Sequence, residues 1–376
     1  MEAVADDTAN TATDDPVVRR LADQVRTASG ASSALRIRGG GTKDFYGGEP
    51  TGAPLDTSEL RGISSYEPTE MVLTARAGTP LSEIEAALAE HNQHLAFEPP
   101  RFGPSGTVGG MLAAGLAGPS RAWVGGVRDF VLGASLLNGR GELLRFGGQV
   151  MKNVAGFDVS RVLAGSLGVL GVICEVSLKV PPVPARSATL RFSFDQAQAI
   201  ERVQAWAGAA LPVNASVWRD GTLHLRLAGA KAAVLEAVAT LRRTCGAKAL
   251  DDEEAAVLWG ALRDQLDPFF QVPAMTAGLR LWRLSVPANS APLALEGEML
   301  IEWGGAQRWL RSSTAPEAVH AAATRVGGHA ALFRCARRET DFLPPLSAEL
   351  ERLHRSLKAS FDPHNVFNRG RLYSWL

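Results

Sequence analysis

Cysteine is scarce in this chain: 376 residues hold three, Cys174, Cys245 and Cys335, odd in number and far apart. No Cys-x-x-Cys or Cys/His spacing links them, so zinc, an iron–sulfur cluster and a disulfide framework all lack support. They read as buried, reduced thiols of a cytoplasmic protein. An excess of either charge is also lacking, with Lys+Arg and Asp+Glu both at 39. That balance argues against nucleic acid or a strongly charged surface as the partner. No apolar run approaches the ~20 residues of a membrane span. Residues 1–15 are acidic and polar, without the basic start and apolar stretch of a signal peptide, and read as a disordered tail. Three sequence signatures are absent as well. Gly-x-Gly-x-x-Gly fails because Asp44 stands at its last position. Neither Gly-x-x-x-x-Gly-Lys-Ser/Thr nor Gly-x-Ser-x-Gly occurs, which removes the usual NAD, P-loop and α/β-hydrolase readings.

Glycine, by contrast, is abundant at 38 residues, above the usual share of about 7%, and it is clustered. A short strand, Leu35–Arg38, empties into Gly39-Gly40-Gly41-Thr42-Lys43. Consecutive glycine amides can curl into an anion-binding nest, and Arg38 and Lys43 add positive charge, which suits a pyrophosphate; the alternative is a flexible turn. Residues 103–118 form a second cluster dominated by small side chains. A third runs from Met151 to Val180, where the polar residues Lys152, Asn153, Asp158 and Arg161 lead into Gly165, Gly168 and Gly171 and then a β-branched strand. Such glycines let a flat or phosphorylated ligand approach the backbone, or only allow chain to pack on chain.

The intervening pattern alternates. A helix begins at Pro16, carries Val17, Val18, Leu21 and Val25 at helical spacing, and ends at Gly30. Strands are expected at Ile63–Tyr66 and Met71–Arg76, then a helix through Leu81, Ile84 and Leu88. His91 and His94 close that helix; without a third ligand they read as an exposed helix end rather than a metal site. Val127–Leu137, the turn 138–141 and Glu142–Phe146 read as a β-hairpin. Pro181, Pro182 and Pro184 cannot continue a central strand and mark a domain boundary. Beyond it, strands at Ala188–Phe194, Thr222–Leu227, Leu279–Val286, Met299–Trp303 and Ala330–Cys335 alternate with alanine-rich helices such as Ala230–Thr244. That mixture predicts an α+β domain, an antiparallel sheet with helices on one side. A last helix spans about Ser347–Ser360.

These clusters resemble a known family. Arg38-Gly39-Gly40-Gly41-Thr42 after a strand looks like the pyrophosphate loop of the FAD-binding fold shared with vanillyl-alcohol oxidase. Thr107-Val108-Gly109-Gly110 is similar to its second FAD loop. Lys152-Asn153-Val154-Ala155-Gly156-Phe157-Asp158, followed by Gly165-Ser166-Leu167-Gly168-Val169-Leu170-Gly171-Val172-Ile173, resembles its third signature. Within that fold the likeness is to the FAD-binding E subunits of bacterial glycolate oxidases. Phe97–Pro104, Gly126–Gly133 and the end, Phe361-Asp362-Pro363 through Gly370-Arg371-Leu372-Tyr373, share it. The resemblance implies an α+β chain with a two-subdomain FAD-binding domain (16–184), an antiparallel-sheet cap (185–340), and a terminal helix and tail (341–376) returning to the FAD domain. Carried across, Arg38, Gly39, Gly40, Gly41, Thr42 and Lys43 would hold the pyrophosphate. Pro104, Ser105, Gly106, Thr107, Gly109 and Gly110 would line the cofactor, as would Lys152 and Asn153. Gly165, Ser166, Gly168, Gly171 and Ile173 would follow the ribityl chain and ring. Thr42 stands where some relatives attach FAD through a histidine, so the FAD is expected to be non-covalent.

One departure bears on mechanism. Catalytic relatives that oxidise 2-hydroxy acids carry a His-Gly-Asp-Gly-Asn-x-His stretch in the cap, and nothing like it occurs here; Glu302-Trp303-Gly304-Gly305-Ala306 is the nearest cap strand. Deprotonating a hydroxyl during hydride transfer then has no evident base, and His320 and His329 are too isolated to stand in. The resemblance therefore implies an electron-relay or structural subunit, working with a catalytic FAD subunit and an iron–sulfur subunit that oxidise a small 2-hydroxy acid, glycolate to glyoxylate. Any membrane association would be peripheral and through those partners. Two alternatives remain open: a self-sufficient FAD-dependent 2-hydroxy acid dehydrogenase, and an assembly subunit with a vestigial FAD site. Trp218, Trp259, Trp282, Trp303 and Trp309 read as cap core, and Arg280 and Arg283 as a solvated strand face. Asn368-Arg369-Gly370 lies where relatives have Asn-Pro-Gly near the flavin.

Overall fold

The computed structural model describes residues 15–148, 158–271, 278–336 and 342–376. Residues 1–14 of the expected 1–15 tail, and Lys152 and Asn153, lie outside them, whereas Asp15 belongs to the fold as the cap of the first helix. Helix α1 (Pro16–Gly30) starts as its sequence dictates: Asp15 Oδ1 accepts from the Val17 N–H at 2.8 Å, and Pro16 fills the first turn. Then come β1 (Leu35–Arg38), β2 (Ala53–Asp56), β3 (Ile63–Glu67), β4 (Val72–Arg76), α2 (Leu81–Glu90) and α3 (Val108–Ala114). Two helical turns, α4 (Arg121–Val124) and α5 (Val127–Phe130), precede β5 (Val131–Leu137), β6 (Leu143–Gly147), the turn α6 (Val159–Val162) and β7 (Val172–Lys179). The expected hairpin is therefore shorter than the sequence suggests. Residues 127–130 form a helical turn because Asp129 Oδ2 accepts from the Gly126 N–H and caps it.

Strands β3-β4-β7-β5-β6 make a five-stranded antiparallel sheet, while β1 and β2 pair in parallel as a separate ribbon. Strand β2 reads Ala-Pro-Leu-Asp, and Pro54 hid it from the sequence pattern. Fully buried Leu73, Leu81, Ile84, Phe97, Leu112 and Val176 knit the five-stranded sheet to α2 and α3. Burying each such side chain stabilises by about 1.5–3 kcal/mol.

The second half contains β8 (Arg186–Ser193), α7 (Gln196–Ala207), β9 (Val213–Arg219), β10 (Thr222–Gly229), α8 (Lys231–Cys245), β11 (Lys248–Ala249), α9 (Asp252–Arg263), β12 (Arg280–Ser285), β13 (Glu298–Glu302), β14 (Gln307–Ser312), α10 (Pro316–Arg325) and β15 (His329–Cys335). The eight strands among its described residues form one antiparallel sheet, ordered β11-β8-β10-β9-β13-β14-β12-β15. Strands β9 and β14 were not anticipated; Val-Asn-Ala-Ser-Val in β9 does alternate and was overlooked, whereas Gln-Arg-Trp-Leu-Arg-Ser in β14 has no alternation to read. One face packs on α7 and α8 through Leu190, Leu223, Leu225 and Val234, and on α10 through Leu284, Leu332 and Val319. The other face, with Leu281, Leu300, Trp309 and Phe333, meets α9 and Tyr46, Leu116 and Leu167 of the first half. Trp259, Trp282, Trp303 and Trp309 are buried as expected and Trp218 is half-buried. Arg283, read as solvated, lies 5.2 Å from the Trp303 ring centroid and donates to Gln307 Oε1 at 2.7 Å.

Charged pairs join the two halves. Arg226 of β10 meets Glu98 at 2.8 Å and stacks over Trp259. Burial pushes the Glu98 carboxyl up, but Arg226 and Ser120 prevail and hold it below the ordinary carboxylate range. Trp303 Nε1 donates to the Gly118 carbonyl at 2.9 Å, and Asp264 Oδ1 accepts from the Arg101 N–H at 3.0 Å. Helix α11 (Ala348–Phe361) then brings the final segment back beneath the first glycine loop.

Candidate FAD site

A cavity of about 530 Å³ lies where the ribbon, α3, the 165–173 loop, the cap strand β15 and the C-terminal segment meet. All six residues of the first cluster, Arg38, Gly39, Gly40, Gly41, Thr42 and Lys43, line it. So do Thr107, Gly109 and Gly110 of the second cluster and Gly168, Gly171 and Ile173 of the third. The remaining candidates stand behind the wall. Ser105 Oγ donates to the Gly40 carbonyl at 2.9 Å, and the Gly106 carbonyl accepts from the Leu81 N–H. The Gly165 N–H donates to the Leu112 carbonyl, and Ser166 is buried. Pro104 is likewise absent from the cavity lining.

Two observations bear on what this cavity can hold. The backbone N–H groups of residues 39–43 donate to no acceptor among the described residues, leaving five consecutive donors around a cavity wall. Arg36, which the sequence reading missed, also lines the cavity, and its buried Nε has no partner there. Orphaned amides and a guanidinium are what a pyrophosphate requires. The glycines have a second cause as well. A Cβ on Gly40 would sit 1.5 Å from the Ser105 carbonyl oxygen, so the first two loops can touch only because that side chain is missing. Gly168 has φ +73°, and a Cβ there would stand 2.6 Å from Asn368 Nδ2. Close packing and ligand access are served by the same residues.

The end of the cavity nearest the cap is aromatic and cationic. Lys43 Nζ lies 5.6 Å from the Phe102 ring centroid, and Arg334 lies 4.4 Å from that of Phe45. Burial pushes the Lys43 ammonium down to about 8, against a smaller opposing effect of Asp264. Burial likewise pushes Arg334 down to about 10. Arg38 is held by Asp44 at 2.9 Å. Gln271 and Cys335 complete this end. All seven histidines lie elsewhere: His91 packs edge-on against Tyr66, His320 against Trp282 and His354 against Tyr373, while His94, His224, His329 and His364 are also outside the lining. Among the described residues no group of three His, Cys, Asp or Glu stands ready for a metal.

The C-terminal segment closes the site. Asn368 is buried; its Nδ2 donates to the Leu167 carbonyl at 2.7 Å and its Oδ1 accepts from the Ile37 N–H at 2.8 Å. Arg371 donates to the carbonyls of Lys43 and Gly48, bracing the first loop from below. Asn368 is the residue the Asn-Arg-Gly comparison singled out, while Arg369 turns outward to the Asn365 and Ser32 carbonyls. Three glycine loops, an unpaired amide run and an antiparallel cap sheet together define a FAD-dependent oxidoreductase.

Comparison with known proteins agrees. Residues 18–147 match the family described as FAD binding domain. The glycolate oxidase subunit GlcE of Escherichia coli (strain K12) is 44% identical over 356 residues, covering 95% of this chain and 97% of that protein. The chain belongs to that glycolate oxidase subunit family. Likeness to the D-lactate dehydrogenase of Archaeoglobus fulgidus is 28% over 45% of this chain and 38% of that protein. For the glycolate oxidase subunit GlcD of Bacillus subtilis it is 28% over 43% and 35%. A solved alkyldihydroxyacetonephosphate synthase superposes with a TM-score of 0.64 at 15% identity, covering 93% of this chain and 74% of that one, which shows the shared fold.

Proposed function

We propose that this chain is the FAD-binding relay or structural subunit of an assembly that oxidises glycolate to glyoxylate, and that another subunit removes the substrate's hydride. The position of the histidines carries this reading: none lines the cavity, and its cap end presents Lys43 and Arg334 on aromatic rings. Cations so placed attract an anion; with Arg334 pushed down only to about 10 and Lys43 to about 8, both are mostly protonated at neutral pH and offer charge rather than a free base. FAD would supply the electron-accepting chemistry when bound. Residues 39–43 and Arg36 would hold its pyrophosphate, Thr107, Gly109 and Gly110 its middle, and Gly168, Gly171, Ile173 and Asn368 its inner length, without a covalent bond. Lys152 and Asn153 belong to the same proposal on the strength of the resemblance. So do the division into 16–184, 185–340 and 341–376, the catalytic FAD and iron–sulfur partners, and a cytoplasmic location with peripheral membrane contact through them. Among the described residues no helix is long and apolar enough to cross a membrane.

The test is anaerobic reduction. Purified FAD-loaded chain mixed with glycolate or D-lactate should keep its oxidised flavin spectrum, and the reconstituted complex should bleach. Bleaching by the lone chain would overturn the relay reading. Flavin left in the pellet after acid precipitation would refute the non-covalent one.

A further inference from the structure

A second cavity, about 470 Å³, opens on the cap and shares no lining residue with the first. Its floor is the β11-β8-β10-β9 part of the large sheet. Strand register places three basic residues in one row there: Lys248 stands opposite Arg191, and Arg191 opposite His224. Directly opposed residues share a sheet face, and neighbouring strands lie about 4.8 Å apart. The three side chains therefore span roughly 10 Å of one surface, and all three line the cavity. Leu258 and Leu262 of α9, with Val217 and Leu300, supply an apolar wall.

The charges in this cavity do not cancel. Asp267 and Asp220 are both engaged by Arg219, at 2.5 Å and 3.5 Å. Asp267 Oδ1 also accepts from the Phe269 N–H at 2.8 Å. Among the described residues neither Arg191 nor Lys248 has a carboxylate within salt-bridge reach. Three cations thus face two carboxylates, with both carboxylates turned to the same arginine. The imidazole registers this field: His224 is pushed down to about 4, first by burial and then by Arg191 and Arg219. A guanidinium fork, an ammonium and an imidazole in one row along the cavity floor suit a tetrahedral dianion, which can accept from several directions at once. A lone carboxylate would leave one of the two unpaired cations unmatched.

We propose that this cap cavity binds a small phosphorylated molecule, its phosphate on Arg191, Lys248 and His224 and its carbon body against Leu258 and Leu262. The test uses the full FAD-loaded chain with ¹³C-labelled histidine, the His224 signal being identified with His224→Gln. Phenyl phosphate is the probe, inorganic phosphate a second ligand without the apolar body, and benzoate the control. The expected result at neutral pH is a saturable shift of the His224 signal, with phenyl phosphate binding at least tenfold more tightly than benzoate. In the bound form the His224 pKa should rise, since a nearby dianion favours the imidazolium. Arg191→Ser with Lys248→Ser should weaken phenyl phosphate at least tenfold while the flavin absorbance per chain stays unchanged. No shift of the His224 signal at tens of millimolar phenyl phosphate would overturn the proposal in the unaltered protein alone. Equal binding of benzoate would overturn it too, as loose counter-ion attraction.

Discussion

Lys358 is the side chain whose removal should cost the FAD site most for a residue that does not line it. It is buried at the end of α11, where its Nζ donates to the Val169 carbonyl at 2.7 Å, to Asp362 Oδ2 at 2.7 Å and to the Phe367 carbonyl at 3.0 Å. The Asp362 side chain is 0% exposed and accepts from the Val366 and Phe367 N–H groups at 2.9 Å and 2.8 Å. Those five bonds fix the turn that delivers Asn368 to the 167–168 loop. Lys358→Met keeps much of the aliphatic stem but leaves a buried carboxylate without its counter-ion and two carbonyls without their donor. Breaking a buried pair in this way costs about 3–5 kcal/mol. That corresponds to a roughly hundred- to several-thousand-fold fall in the folded-to-unfolded ratio of this unit, at about 1.4 kcal/mol per tenfold. Because Asn368 sits one residue past the knot, flavin should be released at lower urea than the concentration that unfolds the cap. Flavin fluorescence and tryptophan fluorescence, followed together through a urea titration, report the two events. Adding Asp362→Asn to Lys358→Met removes the stranded charge and should recover at least about 1 kcal/mol, the size expected for coupling within one network. A single variant within about 1 kcal/mol of the parent, with flavin retained equally, would refute the reasoning.

Two further perturbations address other parts of the molecule. Gly40→Ala should lower FAD affinity more than tenfold and leave the unfolding of the cap unchanged, because its Cβ would collide with the backbone of Ser105 rather than with a movable side chain; flavin retained through gel filtration at the parent's level would contradict this. Glu302 is buried, and its Oε1 accepts from Trp309 Nε1 at 2.7 Å and from Gln307. Burial pushes its carboxyl from 4.5 up to about 7, with Arg283 acting against the shift and Glu98 with it. The folded state therefore keeps a proton that the unfolded state releases between those values, and stability falls as pH rises through that window, by up to about 3 kcal/mol. Glu302→Gln carries no such proton, so its urea midpoints at pH 5 and pH 8 should lie closer together than the parent's; equal pH dependence in both would sink the assignment.

The three glycine loops were legible because each is a local pattern: a strand emptying into glycines, or a helix start capped by Thr107. The sequence also exposed Asn368, through the motif around it. Arg36 was missed since it lies within a strand whose alternation already accounts for it, and its unpaired Nε appears only in three dimensions. Arg334 and Gln271 were missed for a different reason. They reach the first cavity from the cap half, and no local pattern marks a residue that faces another part of the chain. Pro104, Ser105, Gly106, Gly165 and Ser166 sit in the right loops but support the wall, a distinction of one or two positions that turn geometry decides.

The bridge between Ile37 and Asn368 joins residues 331 apart, and a parallel bridge from Leu35 to Phe367 accompanies it. The first glycine loop precedes Arg371, which braces it, by more than three hundred residues. Contacts this distant in sequence close late in folding. A nascent or truncated chain lacking residues 362–371 would present its amide run without the floor beneath it. The ability to hold FAD then becomes a report on whether residues 362–371 have docked beneath the loop.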